Sequence, residues 1–121
     1  MQALVIDDSR AMRMILGRML RDLGFGVADA PDGRQGLDAM TATGPDLVLV
    51  DWNMPEMSGI EFLVAMRRPP YASRAKVLMV TTESEVAQVV RALGAGADEY
   101  LMKPFSKEAV LDKLHLLGFE V

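Results

Sequence analysis

At 121 residues, half of them hydrophobic and a quarter charged, the chain has the size and balance of one globular domain that buries about two thirds of its unfolded surface without staples. It contains no cysteine, which excludes disulfides, thiolate metal sites and thiol catalysis. The net charge is −4 with the basic residues scattered, and no apolar run approaches the roughly 20 residues of a membrane span, so neither nucleic acid nor membrane is expected as a partner.

The first apolar run, residues 3–6, follows a start with no basic region and leads into Asp7 and Asp8. A signal peptide is therefore not expected, and the implied setting is cytoplasmic. Next come Met12, Ile15, Leu16, Met19, Leu20 and Leu23, at the i, i+3, i+4 spacing of one buried helical stripe. A second apolar run at 25–30 and a weaker stripe through Leu37 and Met40 follow. The third run, 47–50, ends at Asp51, and Phe62, Leu63 and Met66 make the next stripe. The fourth run, 77–80, leads to Thr81, followed by a stripe of Val86, Val89, Val90 and Leu93. A fifth run, 99–102, reaches Lys103 before a last stripe of Val110, Leu111, Leu114 and Leu117.

Runs 4–6, 47–50 and 77–80 are continuously apolar instead of alternating, as expected for strands covered on both faces. Gly24, Gly33, Gly44-Pro45, Pro69-Pro70, Gly94 and Gly118 punctuate the pattern where elements should end. Five strands alternating with five helices predict an α/β fold, a doubly wound parallel sheet with helices on both faces. With the last helix ending near Gly118, a single domain over residues 1–121 is expected, with no output domain.

Right-handed crossovers place every strand C-terminus on one edge of such a sheet, where open α/β folds bind ligands. That edge would gather Asp7, Asp8, Asp51, Thr81 and Lys103. Three carboxylates in one crevice need protonation, separation or a cation. Mg²⁺ suits an all-oxygen site, since it is commonly held by one or two carboxylates with water and phosphoryl oxygens. An aspartate beside a metal and a lysine is also a plausible nucleophile toward phosphorus. Each residue has a plainer reading: Asp8 and Ser9 as caps of the first helix, Asp51 as a turn residue before Asn53-Met54-Pro55, Lys103 as solvated surface. Four polar strand ends with complementary chemistry outweigh those readings. The ten methionines read as core fillers, His115 as a surface or rim residue, and Trp52 as either site wall or core.

Asp7-Asp8 after the first strand, Asp51 after the third, Thr81 after the fourth and Lys103-Pro104-Phe105 after the fifth resemble the receiver domain of two-component response regulators, over essentially the whole chain. The segments 51–55 and 77–81, with Tyr100, resemble the chemotaxis members of that family. The resemblance implies strand order 2-1-3-4-5 and a histidine kinase as donor of a phosphoryl group to Asp51. It implies Mg²⁺ held by Asp8, Asp51 and the backbone carbonyl of Asn53, with Asp7 acting through water, and phosphoryl oxygens held by Thr81 and Lys103. Tyr100 would swing inward as Thr81 moves, reshaping a partner face of the fourth helix, fifth strand and fifth helix that includes Tyr100, Met102, Phe105 and Lys113. Asn53 and Glu83 stand where the family tunes dephosphorylation, and a cis Lys103–Pro104 bond is implied.

One departure stands at Thr82, where the family often has alanine or glycine beside the phosphoryl group; the added bulk bears on rates rather than on the chemistry. The expected protein is thus a phosphoacceptor, not an enzyme acting on other molecules, with a flagellar motor switch protein as its first candidate output partner. A phosphorelay intermediate or adaptor in another pathway is the alternative. A Mg²⁺-dependent phosphohydrolase is a weaker one, because no insertion of cap-like length encloses a substrate.

Overall fold

Continuous apolar strands require cover on both sides, and the two covers are visible as two separate hydrophobic clusters in the computed structural model, which describes residues 1–82 and 86–121. The elements alternate along the chain: β1 (Gln2–Ile6), α1 (Arg10–Asp22), β2 (Gly26–Ala30), α2 (Gly33–Thr43), β3 (Leu47–Asp51), α3 (Gly59–Arg67), β4 (Lys76–Thr82), α4 (Val86–Gly94), β5 (Glu99–Lys103) and α5 (Lys107–Leu116). All strand pairs are parallel and the order is β2-β1-β3-β4-β5, as the resemblance implied.

Side chains leave a strand alternately to opposite faces. Leu4, Ile6, Val48, Val50, Val77 and Met79 therefore meet α2, α3 and α4 through Leu37, Met40, Phe62, Leu63, Met66 and Ala92. Ala3, Val5, Leu47, Leu49, Leu78, Val80 and Leu101 meet α1 and α5 through Leu16, Leu20, Val110 and Leu114. Among the described residues, four helix starts carry a side-chain cap: Ser9 accepts from the Met12 amide, Asp32 from Gln35, Ser58 from Glu61 and Ser106 from Ala109. At Ser58 the cap is reciprocal, with the Glu61 carboxylate returning to the Ser58 amide.

Three details differ from the sequence reading. Ile15 is 47% exposed; it lies roughly 120° around the helix from the Leu16–Leu20 seam that α1 presses onto the sheet, at 100° per residue. Among the described side chains of α4, Val89 and Ala92 are buried, whereas Val90 is 75% and Leu93 41% exposed. Val90 and Leu93 of the apolar stripe thus face outward while small Ala92 packs in the cluster with the sheet; the side chains of Val86 and Gln88 lie outside what is described. Gly33 opens α2 rather than closing an element, and its hydrogen faces the Met57 side chain, where a Cβ would collide. Gly44 behaves as read: its left-handed φ of 55° ends α2 while its amide returns to the Met40 carbonyl.

Candidate functional site

The site grows from the C-terminal ends of β1, β3, β4 and β5. The Asp7 amide donates to the Ala30 carbonyl of β2, which fixes the chain as it leaves the sheet. The Asp7 side chain, 1% exposed, turns back into the crevice. Its Oδ1 accepts the Ser9 amide at 2.8 Å, whereas its Oδ2 is buried without a hydrogen bond. Asp8, next along, is exposed, and Ser9 rather than Asp8 caps α1. The plain capping reading thus holds for Ser9 and leaves the Asp8 carboxylate uncommitted to the helix.

Asp51 is the last residue of β3 and 8% exposed. One carboxylate oxygen from each of Asp7, Asp8 and Asp51 lies within 4.8 Å of the other two. Lys103 reaches across from β5, with Nζ 3.5 Å from Asp7 Oδ2 and 3.5 Å from Asp51 Oδ1. Burial first, and then the charge of Asp7, push Asp51 up from the usual 3.8 to about 6, against the pull of Lys103 and the Asn53 amide that donates to it. Removing water costs the charged form most where no full counter-charge replaces it.

Thr81 is 1% exposed and lies one residue inside the end of β4, opposite Met102 in the ladder. Its hydroxyl donates to the Thr82 carbonyl at 3.3 Å. β4 runs to Thr82, which pairs with Lys103, so the strand extends two residues past the apolar run. The Lys103–Pro104 bond is cis.

The donor set is all oxygen and strongly acidic, and it includes a buried oxygen with no hydrogen bond. A hard divalent cation such as Mg²⁺ fits those features, and Lys103 stands in as the only positive charge within ion-pair reach of Asp7 and Asp51 among the described residues.

Among the remaining sequence candidates, Tyr100 is half-buried and Lys113 sits over its ring, 4.1 Å from the centroid, while pairing with Glu99 at 3.0 Å. Met102 is half-buried, and Phe105 packs against the cluster beneath α1 and α5. Asn53 is exposed, Trp52 is partly buried against the α2–α3–α4 cluster, and Glu83 lies outside the described residues. His115 is exposed on α5.

Sequence reasoning missed Gly59. Its amide holds the Trp52 carbonyl at 2.9 Å, and a Cβ there would run into the Asp51 carbonyl. Its contacts are with backbone atoms, so the sequence carried no signal for it. It missed Arg13 as well, which holds the Asp7 carbonyl.

Residues 3–115 match the response regulator receiver domain. The chain belongs to that family. As a receiver domain it resembles the chemotaxis protein CheY of Pseudomonas aeruginosa, 39% identical over 115 residues that span 94% of this chain and 93% of that one. It is 38% identical to chemotaxis protein CheY-3 of Vibrio cholerae over 115 residues, 94% of this chain and 88% of the other. In structure the receiver superposes on chemotaxis protein CheY4 of Vibrio cholerae with a TM-score of 0.86 at 34% identity, covering 94% and 95% of the two chains. Members of this family are generally signalling proteins that depend on Mg²⁺, and here the three carboxylates supply a cluster able to hold it. No helix among the described residues is long and apolar enough to cross a membrane.

Proposed function

We propose that this receiver is a phosphorylation switch of the cytoplasm, with Asp51 as the phosphate acceptor and a histidine kinase as the donor. The observation that carries the reading is Asp51 itself: buried at a strand end, within 4.8 Å of two further carboxylates and ion-paired to Lys103. An oxygen of Asp51 forms the bond to phosphorus while the bond to the donor's imidazole nitrogen breaks. Lys103 and the Thr81 hydroxyl hold the phosphoryl oxygens, and Lys103 leaves its present pairing with Asp7 to do so. Asp8, Asp51 and the Asn53 carbonyl would hold Mg²⁺, with Asp7 supporting it through water. When bound, the ion neutralises the carboxylates and the incoming phosphoryl charge, which phosphoryl transfer needs more than acid–base help.

The output is a change in partner binding on the face of α4, β5 and α5. Phosphorylation adds charge and strong acceptor oxygens that draw in Thr81 and Lys103, and Tyr100 responds from the neighbouring strand. The identities of 38–39% to two chemotaxis proteins favour a flagellar switch component as the partner, with chemotaxis as the pathway. Intact-mass spectrometry after incubation with acetyl phosphate tests the core of the reading. The expected result is one phosphoryl group on Asp51 with Mg²⁺ and none with EDTA; label elsewhere, or label indifferent to EDTA, refutes it.

A further inference from the structure

Arg13 touches the acidic loop without belonging to it. It sits on α1, largely buried, and its guanidinium spans two elements. Nη1 donates to the Asp7 backbone carbonyl at 2.7 Å, and Nε pairs with Asp29 of β2 at 2.9 Å. The same Asp7 is tied to β2 on its other side through its amide and the Ala30 carbonyl at 3.1 Å. The peptide that joins Asp7 to Asp8 therefore has its carbonyl held from α1 and its approach held from β2. Its plane decides where the exposed Asp8 carboxylate is presented to the crevice.

We infer that Arg13 is a positioning residue for the divalent cation: it orients the Asp7–Asp8 peptide, with Asp29 as its anchor, and so sets how tightly the carboxylates bind Mg²⁺. This rests on the functional reading above, in which Asp7 and Asp8 hold that ion. Outer partners that orient ligands are commonly worth about ten- to a hundredfold in metal affinity.

The charge of Arg13 makes the inference separable from a simple field effect. A guanidinium close to a cation site repels the incoming cation, so deleting it should tighten Mg²⁺ binding if only the field mattered. Loss of positioning acts in the opposite direction.

The test is titration of MgCl2 into the whole chain, followed by fluorescence of Trp52, the residue after Asp51. Arg13→Met keeps the length of the side chain and removes charge and donors. Arg13→Lys keeps the charge but not the fork that reaches the carbonyl and Asp29 together. The expected result is about tenfold weaker Mg²⁺ binding in Arg13→Met and a smaller loss in Arg13→Lys. In the metal-free proteins, the backbone amide signals of Asp8 and Ser9 should shift in both variants. Arg13→Met that is folded and binds Mg²⁺ as tightly as the parent, or more tightly, overturns the inference. If Arg13→Met does not fold, Arg13→Lys decides: parental affinity with unmoved Asp8 and Ser9 signals overturns it. Parental protein that does not bind Mg²⁺ at all removes the functional reading together with this one, whereas normal parental binding with unchanged variants removes this one alone.

Discussion

Replacing Asp51 with Asn should stabilise the metal-free protein at neutral pH, although it destroys the proposed phosphate acceptor. Asp51 is 8% exposed and pushed from 3.8 to about 6, mainly by burial and by Asp7. A folded-state value above the unfolded one means that the native state binds the proton more tightly. The stabilisation this lends is complete below about pH 4 and is lost as pH rises through about 6. The interval between 3.8 and about 6 is worth about 3 kcal/mol at most. At pH 7.5 the native protein carries that full burden, and Asn, with nearly the same shape, does not. Some of the gain is offset because Lys103 keeps only Asp7 as its partner. We expect a net gain of about 2 kcal/mol, or roughly 6–10 °C in melting temperature for a domain of this size. Thermal melts of both proteins in EDTA between pH 4 and 8 would show the difference growing with pH. Adding Mg²⁺ should narrow it by stabilising the parent selectively. A variant less stable than the parent at pH 7.5 in EDTA, or a gap independent of pH, would refute the reasoning.

Three further outcomes are expected. Lys103→Ala should keep or slightly raise Mg²⁺ affinity measured by Trp52 fluorescence, because it removes a competing cation 3.5 Å from two of the carboxylates; a large loss of affinity would contradict its role as a phosphoryl partner. Gly59→Ala should destabilise by about 2 kcal/mol or more in chemical denaturation, since its Cβ meets the Asp51 carbonyl, and should lower the extent of acetyl phosphate labelling in whatever protein remains folded. Beryllofluoride with Mg²⁺ should move the amide NMR signals of Tyr100 and Met102 as well as that of Asp51. A coupling of about 1–3 kcal/mol would change partner affinity roughly 5–150-fold, and shifts confined to the acidic crevice would show that the signal does not reach β5.

The three central strands were legible because burial on both faces leaves a local mark, a short unbroken apolar run such as residues 47–50 bounded by turn signals. The carboxylates, Thr81 and Lys103 were legible for a related reason: each directly follows such a run, or stands a residue or two beyond it, and parallel crossovers send all those ends to one edge. Helix orientation was not. The face that α1 or α4 buries depends on how closely the helix sits on the sheet, so a stripe of large residues misplaced Ile15, Val90 and Leu93, while Ala92 carried the contact. Nor did spacing reveal Gly59 under the Asp51 carbonyl or Arg13 on the Asp7 carbonyl. Those contacts are made to backbone atoms, which every residue possesses, so nothing in the partner's identity announces them. Only the tertiary structure decides which amide or carbonyl a side chain meets, and it also supplies the low-dielectric surroundings and the neighbouring Asp7 charge that raise Asp51 to about 6.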